Sequence, residues 1–89
     1  MVDSILFIPI EMRKFTHGDS VIHVEGLTLR EAVTELNTLY PGIQGVIFSG
    51  TRMRPGLAAV IDGEQVVEGP RAKLNRNSEV HFLKPISGG

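Results

Sequence analysis

Thr28-Leu29-Arg30-Glu31-Ala32-Val33-Thr34-Glu35-Leu36-Asn37-Thr38-Leu39-Tyr40-Pro41-Gly42 decides the fold, because it is the one clear helix in an 89-residue chain. Thr28 and Glu31 have the Thr-x-x-Glu spacing of a capping box, in which the hydroxyl accepts from the backbone N–H three residues on and the Glu reaches back. Leu27 and Ala32 stand at hydrophobic-staple positions. Leu29, Ala32, Val33, Leu36, Leu39 and Tyr40 recur at three- and four-residue steps, which predicts one apolar stripe. Arg30, Glu31, Thr34, Glu35, Asn37 and Thr38 form the wet side. Pro41-Gly42 closes the helix, since the residue before a proline is pushed away from helical angles.

Strands flank this helix on both sides. Ile5-Leu6-Phe7-Ile8-Pro9-Ile10 is apolar on both alternating faces, as in a strand covered on both sides or lying centrally in a sheet. Pro9 should end it. Residues 11–19 read as a turn. Ser20-Val21-Ile22-His23-Val24-Glu25 alternates, with Ile22 and Val24 on one face, and completes a hairpin. After the helix, Val46-Ile47-Phe48 fits either a short helical turn or a strand, and residues 50–56 read as a loop. Leu57-Ala58-Ala59-Val60-Ile61 is a strand. Asp62-Gly63 is a hairpin turn signal, with Gln65-Val66-Val67 as the return. Asn75-Arg76-Asn77-Ser78 is a polar turn before the last strand, residues 79–84, with Val80 and Phe82 on one face. A helix between two hairpins must lie across one face of a single mixed sheet. A right-handed crossover through it sets the first and last long strands side by side. The expectation is an α+β protein of β-grasp (ubiquitin-like) architecture. Its mixed sheet has four to five strands, with one main helix packed on one face. The domain spans residues 1–84, and residues 85–89 form a flexible tail.

Composition narrows the function. The net charge is -1, which sets up no strong field for a polyanion and argues against nucleic acid as a partner. The absence of cysteine excludes a disulfide scaffold, a thiolate zinc site and a cysteine nucleophile. Any sulfur chemistry must use a sulfur other than the protein's own thiol. No apolar run reaches membrane-spanning length, and no basic segment precedes the first apolar run, so a cytoplasmic location is expected.

The side chains do not assemble an active site on paper. His17, His23 and His81 are far apart, lack metal-site spacing, and read as structural or solvated. No carboxylate pair and no triad can be argued. Residues 50–56 lack the Lys-Ser/Thr ending of a phosphate loop. Arg52 and Arg54 could join Arg13, Lys14 and Lys84 in a basic patch: a solvated loop on one reading, a docking surface for an acidic partner on the other. Phe48 and Met53, read as partly exposed, would suit a partner interface.

The remaining signal is the end of the chain. Gly88-Gly89 follows directly on Glu79-Val80-His81-Phe82-Leu83-Lys84 and Pro85-Ile86-Ser87. Two residues without side chains pass where any Cβ would be excluded. The reactive group they deliver is a carboxylate, inert until a partner activates it. A frayed polar terminus is the other reading of the same two residues.

The stretch Leu57-Ala58-Ala59-Val60-Ile61-Asp62-Gly63-Glu64-Gln65-Val66, with Asn77-Ser78-Glu79-Val80-His81-Phe82-Leu83-Lys84-Pro85-Ile86-Ser87-Gly88-Gly89, resembles the ubiquitin-like sulfur-carrier family. That family includes the small subunit of molybdopterin synthase and the thiamine-pathway sulfur carrier. The order of elements matches over nearly the whole chain, and the last third carries the specific part. The resemblance implies a protein co-substrate, not an enzyme, with no bound cofactor or metal. An activating enzyme uses ATP to adenylate the Gly89 carboxylate, and a sulfur donor converts the adenylate to a thiocarboxylate. An acceptor then takes the sulfur: the large subunit of molybdopterin synthase or a cysteine synthase-like enzyme. Gly88, Ser87, Ile86 and Pro85 would thread the partner's channel. Phe82 and Leu83 would anchor the base of the tail, and Phe82, Phe48, Arg52 and Arg54 would meet the partner. The length of residues 43–56 leans toward the molybdopterin or cysteine-biosynthesis type, with the molybdopterin type favoured. Lys84-Pro85 stands where the molybdopterin type often has two prolines. The rival outcome is a protein modifier joined through Gly89 to lysines, of which Lys14, Lys73 and Lys84 are examples on this chain. A third is a plain β-grasp interaction module.

Overall fold

A computed structural model describes residues 3–83; Met1, Val2 and residues 84–89, with the whole predicted tail, lie outside the described residues. In chain order the elements are β1 (Asp3–Phe7), a 3-10 helix (Ile10–Phe15), β2 (Val21–Glu25), α1 (Leu29–Leu39), α2 (Gln44–Ile47), β3 (Phe48–Ser49), β4 (Arg52–Met53), β5 (Ala58–Ile61), β6 (Glu64–Gln65), a 3-10 turn (Gly69–Arg71) and β7 (Ser78–Leu83).

The cap of α1 forms as its spacing requires. Thr28 Oγ1 accepts from Glu31 N at 3.2 Å. Glu31 Oε1 accepts from Leu27 N at 3.0 Å, one residue further back than the capping-box pattern places it. Such a cap is worth about 1 kcal/mol. Leu29, Ala32, Val33 and Leu36 are fully buried, so the stripe is real. One predicted member is not in it: Leu39, in the last turn, is 53% exposed. Tyr40 is half-buried, and Leu27, expected at a staple position, is 57% exposed. Leu27 is anchored through its backbone: its carbonyl accepts from Leu74 N and its N–H donates to Glu31 Oε1.

The five-stranded sheet has the order β2-β1-β7-β5-β6. β1 pairs antiparallel with β2 and parallel with β7, so the first and last strands lie side by side as the crossover demanded. β5 pairs antiparallel with both β7 and β6. This is the β-grasp fold, a mixed sheet with the helices packed on one face. Its core is built from Leu6, Ile8, Ile22, Val24, Val80 and Phe82 of the sheet's inner face against the stripe of α1, with Ile43 and Ile47 closing one end. Buried polar groups are partnered. Ser78 Oγ accepts from Asn75 N and donates to Asp62 Oδ2, both at 2.8 Å, and Asp62 Oδ1 accepts from Glu79 N, which fixes the β5–β6 corner to β7.

Several local readings change. Residues 11–19 are not a plain turn: a 3-10 helix starts after Pro9 and buries Met12. Residues 50–56 are not only a loop. Gly50, at φ +63°, turns the chain so that Phe48 pairs with Met53 and Ser49 with Arg52. The ambiguous Val46-Ile47-Phe48 divides into the end of α2 and the start of β3. Asp62 and Gly63 both adopt positive φ, as a two-residue hairpin turn requires. The return strand is Glu64–Gln65, one residue earlier than expected, and Val67 stands 93% exposed. Gly26 was not singled out in the sequence, yet a Cβ there would lie 2.6 Å from the Ala32 nitrogen, so only glycine lets β2 run into α1 so closely. Among the described residues no helix is long and apolar enough to cross a membrane.

Candidate functional site

Alternation along the strands gives the sheet a second face, turned away from α1. Register places Val21 beside Phe7, Phe7 beside His81, His81 beside Val60 and Val60 beside Gln65, one row across all five strands. The Phe7 and His81 rings stack at 4.1 Å between centroids, tilted by only 6°. Ala58 and Leu83 pair in the next row, toward the tail. β1 was expected to be covered on both sides or to lie centrally. It lies beside the central β7, and its second apolar set, Ile5 and Phe7, is left half-buried.

Where this face meets the end of β7 there is an open hollow of about 520 Å³. Phe7, Pro9, Ile10, Val21, His81 and Leu83 line its apolar part. Ile10 is 75% exposed, Leu83 49% and Val21 44%, an unusual concentration of large apolar side chains at one corner. Arg13 borders the same hollow, and its Nε donates to the Ile8 carbonyl at 2.9 Å, holding the guanidinium close. Leu83, the last described residue, lies on the rim of this hollow. The arrangement can hold a partner's apolar surface beside the point where the chain continues to Gly89. It contains no nucleophile and base in contact. Among the described residues no group of three His, Cys, Asp or Glu could hold a metal ion.

The residues assigned to the interface from sequence are distributed differently. Gly89, Gly88, Ser87, Ile86 and Pro85 lie outside the described residues. Phe82 is 3% exposed: it points into the core, while its neighbours His81 and Leu83 present the outer face. Phe48, expected to be partly exposed, is 5% exposed, packed into the core with the Arg30 guanidinium 5.6 Å from its ring. Met53 is half-buried. Arg52 and Arg54 are both exposed, but they do not share a patch. Arg54 borders a hollow with Lys14, and Arg52 borders another with Arg30 and Arg71. Arg52 is paired opposite Ser49 in β4, whereas Arg54 lies beyond the strand's end with its N–H donating to the Ile47 carbonyl at 2.8 Å, so strand alternation does not keep the two on one face. His23 is exposed, and His17 meets the Tyr40 ring edge-on at 5.6 Å. Tyr40 donates to Asp19 Oδ2 at 2.9 Å, and that hydrogen bond, with lesser help from desolvation and the Asp19 charge, pushes the phenol above its ordinary value. The row Val21, Phe7, His81 and Val60 was not assembled from sequence. Its signal was the apolar second face of the first strand.

A β-grasp body with a helix on one face, an apolar free face on the other, and a last strand leading into Gly-Gly is that of a ubiquitin-like protein. The chain belongs to the ThiS family of ubiquitin-like sulfur carriers, whose model matches residues 6–89. It is similar to a chain of the Amycolatopsis orientalis BexX/CysO complex, with a TM-score of 0.88 at 19% identity over 97% of this chain and 99% of that one. It is similar to the small archaeal modifier protein 1 (SAMP1) of Methanosarcina acetivorans, with a TM-score of 0.80 at 21% identity over 100% and 98%. Urm1 of Trypanosoma brucei matches with a TM-score of 0.70 at 18% identity over 98% and 95%. At these identities the likeness shows the fold. No curated protein matches the chain.

Proposed function

We propose that the Gly89 carboxylate is the working group of this protein and that a partner enzyme activates it in the cytoplasm. A carboxylate oxygen attacks the α-phosphate of ATP, pyrophosphate leaves, and an acyl-adenylate results. A nucleophile then displaces AMP. With a lysine amine the product is an isopeptide and the chain is a protein modifier. With a hydrosulfide equivalent from a sulfur donor it is a thiocarboxylate and the chain is a sulfur carrier. Pro85, Ile86, Ser87 and Gly88 thread the enzyme's channel, and the Phe7–His81 row with Leu83 and Ile10 seats the body against it. One observation carries the reading: an apolar hollow stands at the point from which the ThiS-family match continues to Gly89.

Of the two outcomes, conjugation has the more direct support, since a solved structure matching this chain end to end is named a modifier protein. Membership of the ThiS family supports sulfur transfer as the second outcome. A molybdopterin synthase large subunit and a cysteine synthase-like enzyme are the acceptor classes to try for it. Intact mass after incubation with ATP, an activating enzyme, a sulfur donor and candidate targets separates the outcomes. High-mass adducts bearing a Gly-Gly remnant on target lysines mark the modifier. A gain of about 16 Da marks oxygen replaced by sulfur through acyl substitution. A Gly88-Gly89 deletion that behaved as the full chain would refute both.

A further inference from the structure

On the side built by α1, the β3–β4 hairpin and the 3-10 turn at Gly69–Arg71, a cavity of about 430 Å³ opens to solvent. It shares no lining residue with the hollow at Leu83. Three separate stretches supply its walls: Arg30, then Thr51 and Arg52, then Glu68, Pro70 and Arg71. Three arginines and one glutamate therefore line a single cavity in a chain whose net charge is -1. Among the described residues the only basic side chain within 4 Å of a carboxylate is His81, 3.9 Å from Glu79, so these arginines have no carboxylate partner there. Arg30 is held in place: its Nη2 donates to the Gly50 carbonyl at 3.1 Å, and its guanidinium lies 5.6 Å from the Phe48 ring. Buried Pro70 stiffens the opposite wall.

We propose that this arginine pocket is a second docking point, for an acidic segment of the enzyme that activates Gly89; the proposal rests on the activation described above. The size of the effect selects the occupant. An exposed guanidinium–carboxylate pair is worth about fivefold in affinity or less. A free small anion touching these side chains is therefore held weakly. A carboxylate-rich segment on an enzyme that already grips the tail meets the pocket at an effective concentration of about millimolar, where weak contacts count. The planar fork of arginine suits carboxylates in pairs. The pocket also speeds encounter at low salt and loses that advantage as salt rises. Glu68 at the rim repels an acidic segment seated in the wrong register.

Titration of the ¹⁵N-labelled full chain with a hexaglutamate peptide, and separately with inorganic phosphate, tests the pocket without any enzyme. The expected result is amide shifts at residues 30, 51–52 and 68–71 with the peptide, at least tenfold weaker with phosphate. Arg52→Glu/Arg71→Glu should abolish them and Arg76→Glu keep them. The dispersed spectrum reports folding, and Arg52→Gln/Arg71→Gln serves if the charge reversal does not fold. No shifts, shifts centred on Lys14 and Arg54, or equally tight phosphate would overturn the proposal. In ATP–pyrophosphate exchange the same double variant should raise KM for the chain about tenfold at low salt with kcat unchanged, and the difference should shrink at high salt. An unchanged KM overturns the partner assignment. Exchange absent with the native chain refutes the activation itself, whereas the peptide titration still judges the pocket, because deleting Gly88-Gly89 leaves that titration untouched.

Discussion

On the inner face of β1 and β7, Leu6, Val80 and Phe82 are at most 3% exposed; on the outer face of the same strands Phe7 and His81 are half-buried and Leu83 is 49% exposed. The two faces are made of residues one position apart, Leu6, Val80 and Phe82 on one and Phe7, His81 and Leu83 on the other. The difference lies in what covers them. α1 covers the inner face, and no element among the described residues covers the outer one. Alternation thus divides two strands between holding the fold and offering a surface, and substitutions on the two faces should fail in different ways.

The largest effect belongs to the inner face. Phe82→Ala should cost about 3–5 kcal/mol, read as a lowered denaturation midpoint with an unchanged slope. A smaller loss would mean the inner face collapses around the gap. Gly26→Ala attacks the same face through its helix, because the new Cβ must displace the Ala32 backbone. It should cost about 1–3 kcal/mol, visible as a fall in Tm. On the outer face, Phe7→Ser with His81→Ala should cost about 1–2 kcal/mol, less than Phe82→Ala, because a half-buried aromatic stack is lost rather than a core side chain. The same pair should weaken binding to the activating enzyme by about tenfold or more, as truncating a desolvated aromatic anchor does, measured by calorimetry. A large stability loss with unchanged binding would erase the distinction between the faces.

The smallest effect lies off both faces. Tyr40 holds its proton more tightly folded than unfolded because it donates to Asp19. That contribution is present below the unfolded value of 10.0 and is lost as pH rises through the higher folded value. Denaturation at about pH 9 and about pH 11 should show native stability falling with pH more than that of Tyr40→Phe. Equal slopes would show that the hydrogen bond is not kept in solution.

The architecture was legible because helix and strand periods differ. The Thr28 cap, the Leu29–Leu36 stripe, the Asp62-Gly63 turn and the Val80/Phe82 alternation each point to one arrangement. What stayed hidden depends on contacts distant in sequence. The tight passage at Gly26 is set by Ala32, and the burial of Met12 by a 3-10 helix that no periodicity announces. The proposed working group, Gly89, lies outside the described residues, and which aromatic reaches the surface depends on strand parity. Sequence reasoning chose Phe82 when Phe7 and His81 present the surface. Likewise Arg52 and Arg54 could be read on paper as one patch or as a solvated loop, and the structure gives them different neighbours.

The central claim is that this body delivers the Gly89 carboxylate to an ATP-using enzyme. ATP–pyrophosphate exchange, run with the full chain and with the chain lacking Gly88-Gly89, tests it most directly. The account predicts exchange that saturates with the full chain and vanishes with the shortened one. Equal exchange with both, or none with the full chain alongside an enzyme that binds it, would contradict it.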